Sequence, residues 1–259
     1  ATFYKQQIDS LTLLLNQLMK NRQMLGWLRL FILAITVFLI WFLRSYGLPV
    51  SVVLLFTGLG FFLFTVKKDL ANKAAINHHK RLITINEQEL LYLQHKFTHQ
   101  KDGSEFYKDE HPYAGDLDIF GRASVYQYIN RTNSQQGNQR LADWLSEPAI
   151  AETILARQKA VQELCTKSNW RHELQAHGMS SAITITTEKK MEDWLKEDNQ
   201  FIHKEIWHVI RYIVPVAALT TLTCFLFDVI SYQLFLQAAL VFTIIAFAIT
   251  RLIIPLYRK

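Results

Sequence analysis

The feature that most constrains this chain is a set of four long apolar stretches, arranged as two close pairs. The first pair, residues 26–43 and 48–66, contains a single charged residue, Arg29. The second pair, residues 212–227 and 229–250, contains none. A helix of roughly 20 residues crosses a hydrocarbon core of about 30 Å, and helices of soluble proteins seldom lack a polar face for this long. The sequence therefore predicts four transmembrane helices in two hairpins.

The charges beside these stretches predict how the hairpins are oriented. The hairpin turns carry only Arg44 and Asp228. The open ends are flanked by basic residues, namely Lys20, Arg22, Lys67, Lys68, Lys204, Arg211, Arg251, Arg258 and Lys259. Because cytoplasmic flanks are enriched in Lys and Arg, we expect both termini and the middle region in the cytoplasm. The predicted parts are an amphipathic cytoplasmic helix (1–25), a first hairpin (26–66), a cytoplasmic domain (67–208), a second hairpin (209–254) and a cytoplasmic tail (255–259).

The middle region shows helical periodicity and turn signals but no alternating runs of strand length. We therefore predict an all-α fold. The predicted helices are 69–99, 122–130, 134–145, 151–167, 168–178 and one from about 187 to 195. A loop over 100–121 and a linker over 180–186 separate them. Ser168 and either Thr186 or Thr187 are expected N-caps.

The first of these helices carries a heptad-like stripe with two polar members: Ile76, His79, Ile83, Asn86, Leu90, Leu93 and Phe97. The polar positions disfavour an isolated coiled coil and favour a partner helix from the same chain. The N-terminal stretch with Ile8, Leu11, Leu15 and Leu18 is the candidate partner.

One segment, residues 116–164, carries an ordered motif. Its members are Asn130, Arg131, Thr132, Gly137, Arg140, Leu141, Trp144, Leu145, Pro148, Arg157, Ala160 and Val161. Thr132 or Asn133 could cap the following helix, and the apolar members, with Ile154 and Leu164, have the spacing of a buried helix face. The three arginines could bind phosphate, or they could pair with nearby acids such as Asp143 and Glu163 or remain solvated.

The order and spacing of this motif resemble the connector and lever core of MutS-family mismatch-repair proteins, over about 50 residues. The family has bacterial membrane-bound members with hydrophobic hairpins before the ATPase, and the layout here is similar to theirs. The resemblance implies a bacterial inner (cytoplasmic) membrane protein, a homodimer, DNA as a possible partner, and a parent protein that binds ATP and Mg²⁺.

The chain also departs from that family. It has no Phe-x-Glu mismatch-reading wedge, and it has no Gly-x-x-x-x-Gly-Lys-Ser/Thr loop to hold phosphate. No catalytic or cofactor-binding residue is therefore predicted here. By the resemblance, a C-terminal ATPase domain would follow Lys259 in a longer parent, and residues 1–259 would be the N-terminal membrane and lever part.

Other chemistry is weakly indicated. His95 and His99 have the i, i+4 spacing of a helical zinc pair, but no further ligand lies near them in sequence, so no metal site is predicted. Cys165 and His172 lack an evident third group for nucleophilic catalysis. Asp228 is the one acid at the membrane, as a transporter would need.

The formal net charge of +6 lies outside the middle region. Residues 67–208 hold 19 Lys and Arg against 20 Asp and Glu, a net of −1, and the remainder carries a net of +7. The excess is expected to meet anionic lipid rather than DNA. Three hypotheses follow: a membrane-anchored MutS-like lever region, a non-enzymatic membrane scaffold or sensor that binds a protein through its cytosolic helices, and a small transporter.

Overall fold

The computed structural model describes residues 1–181, 184–196, 205–227 and 229–257. Within these residues the chain forms nine α-helices, two short 3₁₀ turns and no strand, so the all-α prediction is confirmed. The helices are α1 (Thr2–Phe42), α2 (Leu48–Leu93), α3 (Val125–Ile129), α4 (Gln135–Ser146), α5 (Ala151–Cys165), α6 (Ser168–Gly178), α7 (Ile185–Lys196), α8 (Glu205–Leu226) and α9 (Tyr232–Tyr257). The chain divides into two compact units, unit 1 (Ala1–Arg29 and Phe64–Glu188) and unit 2 (Leu30–Leu63 and Lys189–Lys259).

Four helices, α1, α2, α8 and α9, are long and apolar enough to cross a membrane. In the first hairpin a 3₁₀ turn at Arg44–Tyr46 and Gly47, with φ of 92°, reverse the chain. A Cβ atom at Gly58 would overlap the Thr36 side chain, so the two helices approach closely there. Small residues allow such approach between helices in lipid.

In the second hairpin, α8 and α9 contact each other through the stacked rings of Phe225 and Phe235, whose centroids are 4.3 Å apart. Pro215 lies within α8 without ending it, as transmembrane helices tolerate. Asp228, Lys204, Arg258 and Lys259, which were assigned to turns and flanks from sequence, lie outside the described residues.

The helices of the first hairpin extend beyond their predicted bounds. α1 continues without interruption through residue 25, and α2 contains both a membrane-type segment and the helix predicted to start at Asp69. The predicted end at His99 is wrong, because α2 ends at Leu93. There His95 adopts a left-handed φ of 57° and the Lys96 amide donates to the Leu91 carbonyl, which is the Schellman arrangement that ends helices.

The N-terminal half of α1 lies alongside the C-terminal half of α2 in unit 1, as predicted for the N-terminal stretch. Leu11 packs against a buried cluster of Leu82, Ile85 and Ala176. The Asn72 side chain donates to the Leu18 carbonyl at 2.9 Å.

The predicted stripe on α2 is only partly right. Ile76 and Asn86 are buried, but Leu93 is exposed, and Leu82 and Ile85, which lie outside the stripe, are buried. The reason is that α2 packs against α6 as well as α1, since Ala176 of α6 joins the Leu11 cluster. The buried face is therefore wider than a two-helix seam.

An ion pair joins α1 to α2. The Arg29 guanidinium donates to the Asp69 carboxylate at 3.1 Å, and Arg22 lies 3.6 Å from the other oxygen. Asp69 is 9% exposed. Arg29, the single charge in the first apolar stretch, is thus neutralised by a carboxylate rather than extended towards solvent.

A second core is built by α3, α4 and the preceding loop. Its buried members are Ala114, Ile119, Phe120, Tyr126 and Ala142. The loop over 100–121 is held to the end of α4, because the Tyr113 hydroxyl donates to the Ser146 carbonyl at 2.6 Å. Motif residues Leu141 and Leu145 pack against this core.

Several predicted caps are displaced. Ser134, and not Thr132 or Asn133, caps α4 by accepting from the Gly137 amide. α6 begins at Ser168 without a side-chain cap, and Thr184 accepts from the Thr187 amide at the start of α7. In each case helical periodicity predicts the first residue of a helix only to within one to three positions.

Candidate functional site

The turn between α3 and α4, residues 130–134, is called the motif turn here, and it and the neighbouring helices are held by many side-chain hydrogen bonds. Ser124 caps α3, because its hydroxyl accepts from the Gln127 amide at 3.2 Å. The Gln127 side chain donates to the carbonyls of Thr98 and Gln100, which ties α3 to the segment after α2. α3 is only five residues long, so these side chains rather than its own backbone fix its position.

Asn138 on α4 is the hub of the turn. Its Oδ1 atom accepts from the Tyr126 hydroxyl at 3.0 Å and from the Asn130 side-chain amide at 2.9 Å. The Thr132 hydroxyl lies 2.7 Å from this atom and 2.8 Å from Asn130 Oδ1. Since one hydroxyl proton serves only one acceptor at a time, Thr132 donates to one asparagine oxygen or to the other, but not to both together.

Tyr126 is fully buried beside this hub. Burial, with a smaller contribution from the charge of Glu105, raises the pKa of Tyr126 to about 12. The phenol therefore stays protonated well into the alkaline range and acts as a hydrogen-bond donor to Asn138.

Arg131 is fully engaged within the protein. Its Nε and Nη2 atoms donate to the two carboxylate oxygens of Glu89 at 2.6 and 3.3 Å, and Nη1 donates to the Tyr128 carbonyl at 2.8 Å. The guanidinium carbon lies 3.3 Å from the centre of the Tyr92 ring. A bidentate, stacked arginine of this kind holds structure. Its partner is Glu89, not Asp143 or Glu163.

The other two motif arginines differ from Arg131. Arg157 lies over the Trp144 ring, with its guanidinium carbon 4.1 Å from the ring centre, and this pair links α5 to α4. Arg140 is exposed. It is the motif arginine most open to a ligand.

The remaining motif residues lie around the turn or on α5. A Cβ atom at Gly137 would make a tight contact of 3.1 Å with the Thr132 side chain, so the close approach of Gly137 is to the turn and not to another helix. Pro148 and Ala160 are exposed. Val161 is 65% exposed and Ile154 43%. The expected buried face of α5 is therefore wrong, since no residue of α5 is buried.

Val161, one of those exposed side chains, borders a groove of about 960 Å³ between α3, α5 and α6. Its apolar lining is Tyr128, Ile129, Val161, Leu164, Trp170 and Leu174. Arg131 and His172 contribute polar groups. A contiguous exposed apolar surface of this kind is typical of a site that binds a partner or a ligand.

The predicted metal and nucleophile candidates are not brought together. His95 and His99 lie beyond the end of α2 and share no helix face. Cys165 is exposed at the end of α5, whereas His172 is buried. The residues present do not fit ATP and Mg²⁺, because the chain has no phosphate-binding loop and Arg131 is already paired.

Four residues that contact the motif turn from neighbouring helices were not predicted from sequence, namely Glu89, Tyr92, Tyr126 and Asn138. Glu89 and Tyr92 lie about 40 residues from Arg131, and no periodicity connects them. Asn138 stands in a run of polar residues, 133–140, that looks like surface. Comparison of the chain with protein-family models, curated proteins and solved structures finds no match.

Proposed function

We propose that this chain is the membrane-anchoring lever region of a MutS-like protein. Its two hairpins lie in a bacterial inner membrane, and its middle domain and termini face the cytoplasm. The observation that carries the proposal is the motif turn. The Asn130, Arg131 and Thr132 positions, which support the family resemblance, form the hydrogen-bonded junction between α2, α3 and α4.

The helix pattern supports a mechanical role. α1 and α2 each include a membrane-type segment and residues of unit 1 in one uninterrupted helix. Exposed aromatic residues at the ends of the apolar stretches, including Trp27, Trp41 and Tyr46, suit a membrane interface. A bundle fixed by a bidentate ion pair and buried hydrogen bonds is suited to transmitting displacement without deforming.

The surface that would receive the partner is the outer face of α5. Ile150, Ile154 and Val161 follow one another at helical spacing and are 70%, 43% and 65% exposed. We propose that the C-terminal ATPase domain of the same parent chain, or its copy in a homodimer, covers this face. In the parent, ATP hydrolysis would then move the bundle.

The proposal is tested first in the gene. A Gly-x-x-x-x-Gly-Lys-Ser/Thr loop must be encoded after Lys259, and its absence contradicts the proposal. The second test is binding of that purified domain to residues 1–259 in lipid nanodiscs. Val161→Asp should weaken binding more than tenfold, because it places a charge in the apolar contact.

The matched control for Val161→Asp is Ala156→Asp. Ala156 is exposed and lies on the opposite side of α5. The Ala156→Asp substitution therefore adds the same charge to the helix outside the proposed contact. Equal effects of the two substitutions would contradict docking on this face. Residues 1–259 alone should show no ATP turnover, and measurable turnover would contradict the assignment of this region as a lever.

A second candidate is a scaffold or sensor without enzymatic activity that binds a protein. The near-neutral charge of residues 67–208 and the apolar groove beside α5 favour a protein partner over DNA. The gene separates the two, because only the lever proposal requires a Gly-x-x-x-x-Gly-Lys-Ser/Thr loop after Lys259. The absence of that loop favours the scaffold.

A further inference from the structure

A cluster of possible metal ligands lies where α6 meets α2, away from the motif turn. It consists of His78 on α2 and of Glu173 and His177, which are one turn apart on α6. One ligand atom from each residue lies within 4.8 Å of the other two. We propose that these three side chains form a zinc-binding site.

The distances are close to those that a tetrahedral ion needs. His78 Nε2 lies 2.8 Å from Glu173 Oε2, and His177 Nε2 lies 4.0 Å from the same oxygen. Zn–N and Zn–O bonds of about 2.1 Å in a tetrahedral site require ligand atoms separated by about 3.4 Å. The first pair must therefore open by about 0.6 Å and the second close by about 0.6 Å.

The side chains can make these small movements. His177 is 72% exposed and Glu173 is 50% exposed, whereas His78 is only 20% exposed. His78 is thus the fixed ligand, and the two on α6 adjust to it. The rings of His78 and His177 already approach each other, with centroids 4.7 Å apart.

The ligand types select the ion. Two imidazoles and one carboxylate suit Zn²⁺ and other late divalent transition metals better than Mg²⁺ or Ca²⁺, which prefer oxygen ligands alone. Three protein ligands leave the fourth position to water, and the exposed side of the cluster admits it. One Zn²⁺ would tie α6 to α2.

A metal ion that links α6 to α2 would also restrict movement of the groove wall. Trp170 and Leu174, which line the groove, lie on the same helix as Glu173 and His177. Bound Zn²⁺ would therefore hold the groove wall in place. His78 is separated from Glu173 by 95 residues, so sequence spacing does not reveal the cluster.

The test is metal titration of the full chain, purified without a polyhistidine tag, stripped with chelator and held in nanodiscs of neutral lipid. Calorimetry with ZnCl₂ should give one saturable site. Co²⁺ should give the visible absorption of a tetrahedral complex, and Zn²⁺ should bleach it. Zn²⁺ should also slow amide exchange in α6 but not in α4.

The variants locate the site. His177→Ala and Glu173→Gln, both at exposed positions, should each weaken Zn²⁺ binding by more than about 10-fold, since loss of even an outer-shell partner costs that much. His95→Asn is the matched control, because it removes an exposed histidine outside the cluster. The proposal is overturned by the absence of saturable Zn²⁺ binding, or by binding that survives in both α6 variants.

Discussion

Replacement of Asn138 by alanine tests the hydrogen-bonded hub of the motif turn. The change leaves two buried donors, the Tyr126 hydroxyl and the Asn130 amide, without their acceptor. Thr132 keeps Asn130 Oδ1 as an alternative acceptor. Each stranded buried donor costs roughly 1–3 kcal/mol, and alanine regains about 0.6 kcal/mol of helix propensity. We expect a net loss of about 3 kcal/mol.

The assay is amide hydrogen exchange of the full chain in nanodiscs, read on peptides from α3 and α4. A loss of about 3 kcal/mol corresponds to roughly hundredfold faster exchange where opening limits the rate. Tyr126→Phe removes one of the same hydrogen bonds but leaves no buried donor unpaired. It should cost about 1 kcal/mol, or roughly fivefold in exchange.

Gln139→Ala provides the matched control on the same helix. Gln139 is exposed, and within the described residues its side chain bonds only to Asp143, so we expect a change within about 0.5 kcal/mol. The reasoning is refuted if Asn138→Ala is no more disruptive than Gln139→Ala. It is also refuted if Asn138→Ala and Tyr126→Phe accelerate exchange equally, because stranded donors would then carry no cost.

Three further predictions concern other contacts. Arg131→Lys keeps the charge opposite Glu89 but loses the two-pronged contact and the stacking, so exchange in α2 should report a loss of about 1–2 kcal/mol; no change would mean that the guanidinium geometry is irrelevant. Gly58→Ala should lower the thermal midpoint in detergent, whereas Gly60→Ala, which meets nothing within 4 Å, should not; equal midpoints would contradict close helix approach. Because the pKa of Tyr126 is raised to about 12 in the folded protein from 10.0, its stabilising effect is complete below pH 10 and is lost between pH 10 and 12. Thermal unfolding followed by circular dichroism should show a smaller loss of stability between pH 10 and 12 in Tyr126→Phe than in the unmodified chain. Identical stability-versus-pH profiles would contradict this.

The membrane segments and most helices could be predicted from sequence because both depend on local composition and periodicity. The long apolar stretches coincide with the four membrane-type helices, and α6 ends at Gly178 as predicted. The helix ends predicted less well depend on single contacts, such as the left-handed turn at His95 that ends α2.

The candidate site could be predicted only in part. The Asn130–Thr132 segment is identifiable as a motif, but its partners Glu89 and Asn138 belong to other helices. Apolar spacing on α5 predicted burial of Val161, yet nothing in the described residues covers it. Periodicity identifies which side of a helix is apolar, and it does not identify what packs against that side.

The central claim is that both hairpins cross the membrane and leave the middle domain in the cytoplasm. Cys165, a native exposed thiol on α5, tests it directly once Cys224 is replaced by alanine. A membrane-impermeant maleimide should label Cys165 in inverted inner-membrane vesicles and not in intact bacterial spheroplasts. Ser45→Cys, in the turn of the first hairpin and in a chain without the native thiols, should give the opposite result. Labelling of Cys165 in intact spheroplasts would contradict the account.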